Sequence, residues 1–233
     1  MKKTLVCFAN SRKIGGKCFA GKELENNQWV RPVSSRHDES LIEKEECIRG
    51  RNCTCSFCNP ILPNLLDVIE IDIRKYVGES HQVENYLVGD CKWKKIGVLK
   101  SECIDDFLDT SKGALWINGY EAWHRKNDRI PSELSDGIRD SLRLIEVKNL
   151  YIIVTIEGAD FGNPRKKING KFKYKNIDYI IPITDPVIEQ QYLHLAEGIY
   201  SLEIECERII LSLSAGKEYN GYIYKFIAGV MLI

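Results

Sequence analysis

The sequence predicts a mainly β chain with minor helices, folded as two consecutive five-stranded Greek-key barrels. Three observations predict it. Short β-branched and aromatic segments are separated by turn residues along most of the chain. The pattern restarts halfway, at Leu150, after the polar break Lys148-Asn149. Each half then offers enough strands, with one helix, for a small closed barrel and its capping helix.

The elements follow in order. Thr4 to Ala9 reads as a buried strand. Lys17 to Leu24 and Gln28 to Val33 follow across the turn-forming Glu25-Asn26-Asn27. Leu65 to Arg74 alternates, and its more apolar register (Asp67, Ile69, Ile71, Ile73) should face the core. Ser34 to Asn64 is a long polar insertion bearing cysteines. Ser101 can cap a helix whose apolar stripe is Ile104, Phe107 and Leu108, and Pro131 to Asp140 reads as a short helical or turn segment. Ser141 to Val147 is a strand, and the expected domain boundary falls after it, giving units 1–148 and 149–233.

In the second half, Leu150 to Ile156 is β-branched. Asn169-Gly170 lies between two basic runs and predicts a type I′ hairpin turn, which needs two positive φ angles. Tyr179 to Thr184 is a strand. Asp185 caps a helix with Pro186 at its first position and Gly198 just past its end. Leu202, Ile204 and Cys206 alternate with glutamates as a half-exposed strand. Ile209 to Leu213 and Tyr222 to Ile233 complete the set.

The 233 residues carry 33 basic and 33 acidic side chains. A coat for nucleic acid is usually strongly basic, so only a local patch of this chain can bind it. Nine cysteines, an odd number without a regular framework, suit a reducing compartment. The apolar run after Met1-Lys2-Lys3 stops at Asn10, too early for a signal peptide, and no run reaches a membrane span. The expectation is a cytoplasmic protein.

The segments Ser11-Arg12-Lys13-Ile14-Gly15-Gly16-Lys17-Cys18, Trp29-Val30-Arg31-Pro32-Val33-Ser34 and Leu66-Asp67-Val68-Ile69-Glu70-Ile71 come in that order. Asp140-Ser141-Leu142-Arg143-Leu144-Ile145, Ile183-Thr184-Asp185-Pro186, Leu211-Ser212-Leu213-Ser214 and Tyr224-Lys225-Phe226-Ile227-Ala228-Gly229 follow. In this order they resemble the dual OB-containing domain family of bacterial proteins, over essentially the whole chain. The resemblance implies two OB folds in tandem and a nucleic-acid-binding role. The stretch from Cys53 to Cys58 departs from that pattern, and no role is carried onto it.

Three constellations carry possible chemistry. Arg12, Lys13 and Lys17 surround Gly15-Gly16, a turn that can offer amides and cations to a phosphate, with Trp29 and Arg31 on a nearby strand. The alternative is a solvated turn with Trp29 in the core. Arg165, Lys166, Lys167, Lys171, Lys173 and Lys175 are uninterrupted by acids. Phe172 and Tyr174 fall on one face there, the later lysines on the other, as a backbone-binding strand requires. The alternative is a plain solvated hairpin. Cys53, Cys55 and Cys58, with Cys47 upstream, make a candidate structural zinc site. His37, His81 or Cys91 are other sources of a fourth ligand, and free or redox-active thiols are the alternative.

His37-Asp38-Glu39 followed by Cys55 and Cys58 superficially resembles a zinc deaminase signature, but Thr54 stands where its proline belongs. No phosphate loop, dinucleotide fingerprint or serine elbow is present, and no residue is assigned a catalytic role. The expected partner is single-stranded DNA or RNA, with the protein an accessory to an enzyme. The rival is a protein–protein adaptor, and an enzyme acting on a nucleotide ranks last.

Overall fold

The computed structural model describes residues 1–13, 15–41, 48–49, 62–90, 92–110, 112–158, 162–202 and 207–233. They form two compact units, Met1–Leu108 and Asp109–Ile233.

The N-terminal unit contains β1 (Lys2–Lys13), β2 (Gly16–Glu23), β3 (Trp29–Val33), β4 (Ile48–Arg49), β5 (Asp67–Tyr76), β6 (Asn85–Val88) and β7 (Trp93–Val98). Five of these close a ring in the order β1-β2-β3-β6-β5-β1. Every step is antiparallel except β3–β6, which is parallel. Closure depends on β1 serving two neighbours: Lys2 to Val6 pair with β5, and Leu5 to Lys13 pair with β2. A register shift between Cys7 and Ala9 bends the strand between these duties. Leu5, Cys7, Phe19, Val30, Ile69, Ile71, Ile73 and Trp93 fill the interior. The inward register of β5 is therefore the apolar one, as its alternation predicts.

The C-terminal unit contains β8 (Arg129–Pro131), β9 (Leu142–Val147), β10 (Tyr151–Glu157), β11 (Arg165–Tyr174), β12 (Ile177–Pro182), α1 (Pro186–Tyr192), β13 (Gly198–Ser201), β14 (Ile209–Tyr219) and β15 (Tyr222–Leu232). Its two sheets run β12-β11-β10-β13 and β8-β15-β14-β9. The connection scheme repeats the first unit's. The role of β1 is split: β9 pairs with β14, and β10 pairs with β11. The parallel closing contact shrinks to one bridge, Ile183 to Ile227. A closed five-stranded barrel is thus followed by a half-barrel, and the tandem OB architecture holds. The boundary lies at 108/109 rather than 148/149. A cut after Lys148 would remove β9 from β14, the strand it is hydrogen-bonded to.

Several local expectations change. Asn169-Gly170 is not a turn. It lies inside β11, opposite Ile153 and Ile152 on one side and Pro182 and Ile181 on the other. A Cβ on Gly170 would meet Ile227 Cδ1 at 2.4 Å and Leu150 Cδ1 at 3.1 Å, so glycine is there to let core methyls approach. The type I′ turn falls at Lys175-Asn176 (φ 48° and 62°), and a second forms at Asn220-Gly221 (φ 50° and 78°). Asp185 caps α1 as expected, accepting from Val187 N at 2.9 Å and, through its other oxygen, from Val230 N. Gly198 opens β13 instead of closing the helix. Ser101–Phe107 is a 3-10 helix without a side-chain cap, burying Ile104 and Phe107, and Ser132–Gly137 is another. The strand expected at Leu202 to Cys206 lies mostly outside the described residues. No helix among those described is long and apolar enough to cross a membrane.

Lys225, on β15, is fully buried. Its Nζ donates to Ile117 O (2.7 Å) and Asn118 Oδ1 (2.9 Å), and its backbone N donates to Asp128 O (2.7 Å). It thereby holds both ends of the segment 117–128. Burial pushes its pKa down to about 7, against the opposing pull of Asp128. Between about pH 7 and the ordinary lysine value, the unfolded chain then holds a proton that the folded chain lacks. Stability must rise with pH across that window, by up to about 1.4 kcal/mol per pH unit. Urea unfolding at pH 7 and pH 9 checks this: the wild type should gain stability, and Lys225→Met should lose that pH slope. Gly170→Ala should cost about 1–3 kcal/mol through overpacking in the same assay.

Candidate functional site

Strict alternation along β11 sorts its side chains. Arg165, Lys167, Asn169, Lys171 and Lys173 share one face, and Lys166, Ile168, Gly170, Phe172 and Tyr174 the other. Phe172 is buried and stacks on Tyr179, with centroids 5.3 Å apart. Lys171 and Lys173 are exposed, and Lys175 follows in the turn. Lys166 departs from the expected contact set. It points with the core face and donates to Leu195 O at 2.7 Å.

An open groove of about 580 Å³ runs along the exposed lysines. Lys171, Lys173, Lys175 and Asn176 from the β11–β12 hairpin line it. Glu146, Lys148, Asn149 and Tyr151, where β9 gives way to β10, line it as well. Tyr151 lies directly opposite Lys171 in the ladder and is 40% exposed, which leaves part of its ring to solvent. Four lysines and two carboxylates line the groove. Both carboxylates are already engaged. Glu146 accepts from Arg208 at 3.0 and 2.8 Å. Asp178 lies 3.7 Å from Lys173 and 4.0 Å from Lys126. The groove is therefore net cationic beside a neutral chain. Partial burial, with Asp109 adding to it, pushes the Tyr174 phenol up despite Arg143, so it stays neutral at physiological pH.

The N-terminal basic turn is built differently. Arg12 lies directly opposite Lys17 where β1 meets β2. A Cβ on Gly16 would stand 2.2 Å from Leu41 O, and one on Gly15 2.7 Å from Asp38 Oδ2, so the loop 34–41 covers the turn. Asp38 accepts from the Ser40 hydroxyl at 2.9 Å and its amide at 3.1 Å. Those bonds, with Arg36 and Lys13, hold its carboxyl below the usual range. Arg36 Nε lies 3.7 Å from Asp38 Oδ1, so an ion pair stands beside Arg12, Lys13 and Lys17 at the turn. Trp29 and Arg31 do not join them. Trp29 is 8% exposed, edge-on to Phe8 and under the Lys22 ammonium. Arg31 is 3% exposed, with Nη1 donating to Asn85 Oδ1. Their strand, β3, turns these side chains into the structure rather than onto its surface.

Cys47, Cys53, Cys55 and Cys58 lie outside the described residues, as does Cys91. His81 is buried beside Ser80, and among the described residues no group of three metal-ligating side chains forms.

The ring order and the parallel closing contact, repeated in a more open form in the second unit, fit tandem OB folds. A family model for the dual OB-containing domain matches residues 3–230. The chain belongs to that family. Membership brings an OB-type binding fold, of the kind generally used for nucleic-acid or protein interaction. No curated protein and no solved structure matches the dual OB chain significantly.

Sequence reasoning missed Lys148 and Tyr151. The available signal was the polar pair Lys148-Asn149, recognised only as a break, and the outward parity of Tyr151 in the strand after it. Trp29→Ala should cost about 3–5 kcal/mol of stability, as loss of a core aromatic does, measured by urea unfolding. Its effect on ligand affinity at a temperature where it stays folded should be small.

Proposed function

We propose that this dual OB protein binds single-stranded nucleic acid, DNA or RNA, along the C-terminal groove. Lys148, Lys171, Lys173 and Lys175 contact phosphates there, and Tyr151 offers a stacking face. The observation that carries the reading is the pairing of an exposed tyrosine with a row of four lysines in a groove with two carboxylates, one of which, Glu146, is held by Arg208 from outside. OB folds hold single strands by combining a cationic path with aromatic platforms, and their second and third strands form the binding face. Here those strands are β11 and β12. A single strand suits the groove because an unpaired base can reach Tyr151, whereas paired bases are stacked away inside a duplex. On this reading the protein acts as an accessory to a partner enzyme.

The neutral net charge supports a second reading, a protein adaptor. A pull-down whose protein partner survives nuclease treatment would favour it.

Titration of fluorescent oligonucleotides across a salt series tests the first reading. With four phosphate contacts, log affinity should fall against log salt with a slope of about −3. Lys171→Ala with Lys173→Ala should reduce that slope by about 1.4 and weaken all sequences alike. Lys166→Ala should leave the slope unchanged. Unaltered binding by the double variant would remove the groove as the site.

A further inference from the structure

Trp123 is 85% exposed, more than any other large apolar side chain described. The remaining tryptophans are sequestered: Trp29 and Trp93 are buried, and Trp116 is half-buried with Nε1 donating to Asp140. The segment around Trp123 interleaves aromatic and basic residues as Tyr120-Glu121-Ala122-Trp123-His124-Arg125-Lys126. Tyr120 is also exposed.

This segment is not a loose loop. Gly119 N donates to Asn127 Oδ1 at 2.7 Å and Ala122 N to Asp128 Oδ1 at 2.8 Å. Arg125 donates to both Glu157 oxygens, at 2.9 and 3.0 Å. Lys225 holds the segment from the core side. Lys126 exchanges both backbone hydrogen bonds with Ile180 on β12, and Asn127 Nδ2 donates to Asp178 O at 2.9 Å. Asp178 lines the cationic groove, so the segment is stitched to the groove's own wall. Leaving an indole in water forgoes the favourable burial of a large apolar surface. Fixing it on a rigid base removes most of the ordering cost of using it.

We infer that Trp123 is a second stacking platform, on which a nucleobase sits as a single strand passes out of the groove over β12. The inference rests on the groove's reading as a nucleic-acid site. It places a contact residue outside the barrel strands, in the segment that precedes β8. Lys126, with its side chain half exposed, supplies a local positive charge for an adjoining phosphate, and the His124 ring packs 4.7 Å from the indole. Two separated platforms also require unpaired bases at both, so the site selects single strands over duplex.

The test compares wild type, Trp123→Ala, Trp123→Phe and the Lys171→Ala/Lys173→Ala variant. Each is titrated with an oligothymidylate and with an abasic oligomer of the same length. Trp123→Ala should weaken oligothymidylate binding about tenfold, within the range of one lost base stack. It should leave abasic binding and the salt slope unchanged, and Trp123→Phe should restore most of the affinity. An exposed side chain carries little stability, so the urea midpoint of each Trp123 variant should match wild type. If Trp123→Ala binds oligothymidylate as wild type does while the lysine variant fails, the groove stands and the platform is overturned. If it weakens both oligomers alike, base stacking is overturned. If wild type binds neither oligomer, the groove's reading and the platform fall together.

Discussion

The constraint on which both units depend is a first strand that must pair on two sides. A small barrel closes only if one strand completes the ladder at each of its edges, and a straight strand cannot do so. In the N-terminal unit β1 meets the demand by bending at the Cys7–Ala9 register shift. The C-terminal unit meets it by breaking the strand: β9 serves β14, β10 serves β11, and Lys148-Asn149 lie exposed between them. The break loosens closure, so the parallel contact falls to a single bridge. The residues of the break, Lys148 and Asn149, also line the groove.

Local cover then separates two patches that look alike as strings of letters. Arg12, Lys13 and Lys17 stand beside Asp38, which local hydrogen bonds keep ionised. Lys148, Lys171, Lys173 and Lys175 stand beside two carboxylates, Glu146 held by Arg208 and Asp178 between Lys173 and Lys126. The loop 34–41 covers the first patch, whereas the lysines of the second border an open groove. Lys225 belongs to the same economy of charge: a buried amine is costly, yet here it ties the aromatic-basic segment to β15 and so to the groove-bearing unit.

Much of the architecture was legible in the sequence. The alternation of Asp67, Ile69, Ile71 and Ile73 gave the buried face of β5, since period two maps directly onto the two sides of a strand. Asp185 before Pro186 marked the start of α1, because a cap is local chemistry. Asn169-Gly170 misled, since the same dipeptide serves a turn or a close approach of core side chains, and only the neighbours decide. Ile227 and Leu150 decided it here, and the turn moved to Lys175-Asn176. Trp29 and Arg31 misled for a related reason: a basic-aromatic pair on a strand does not reveal whether its side of the sheet is covered.

The sequence by itself determined the fold class, the tandem arrangement and the face of β11 that carries its lysines, which follow from local periodicity and from the family resemblance. Tertiary structure alone decided the boundary at 108/109, the burial of Trp29, the neutralisation of Glu146 by Arg208, and the exposure of Trp123. Each of these depends on a partner many residues distant. Glu146 and Arg208, 62 residues apart, become neighbours only when β9 pairs with β14.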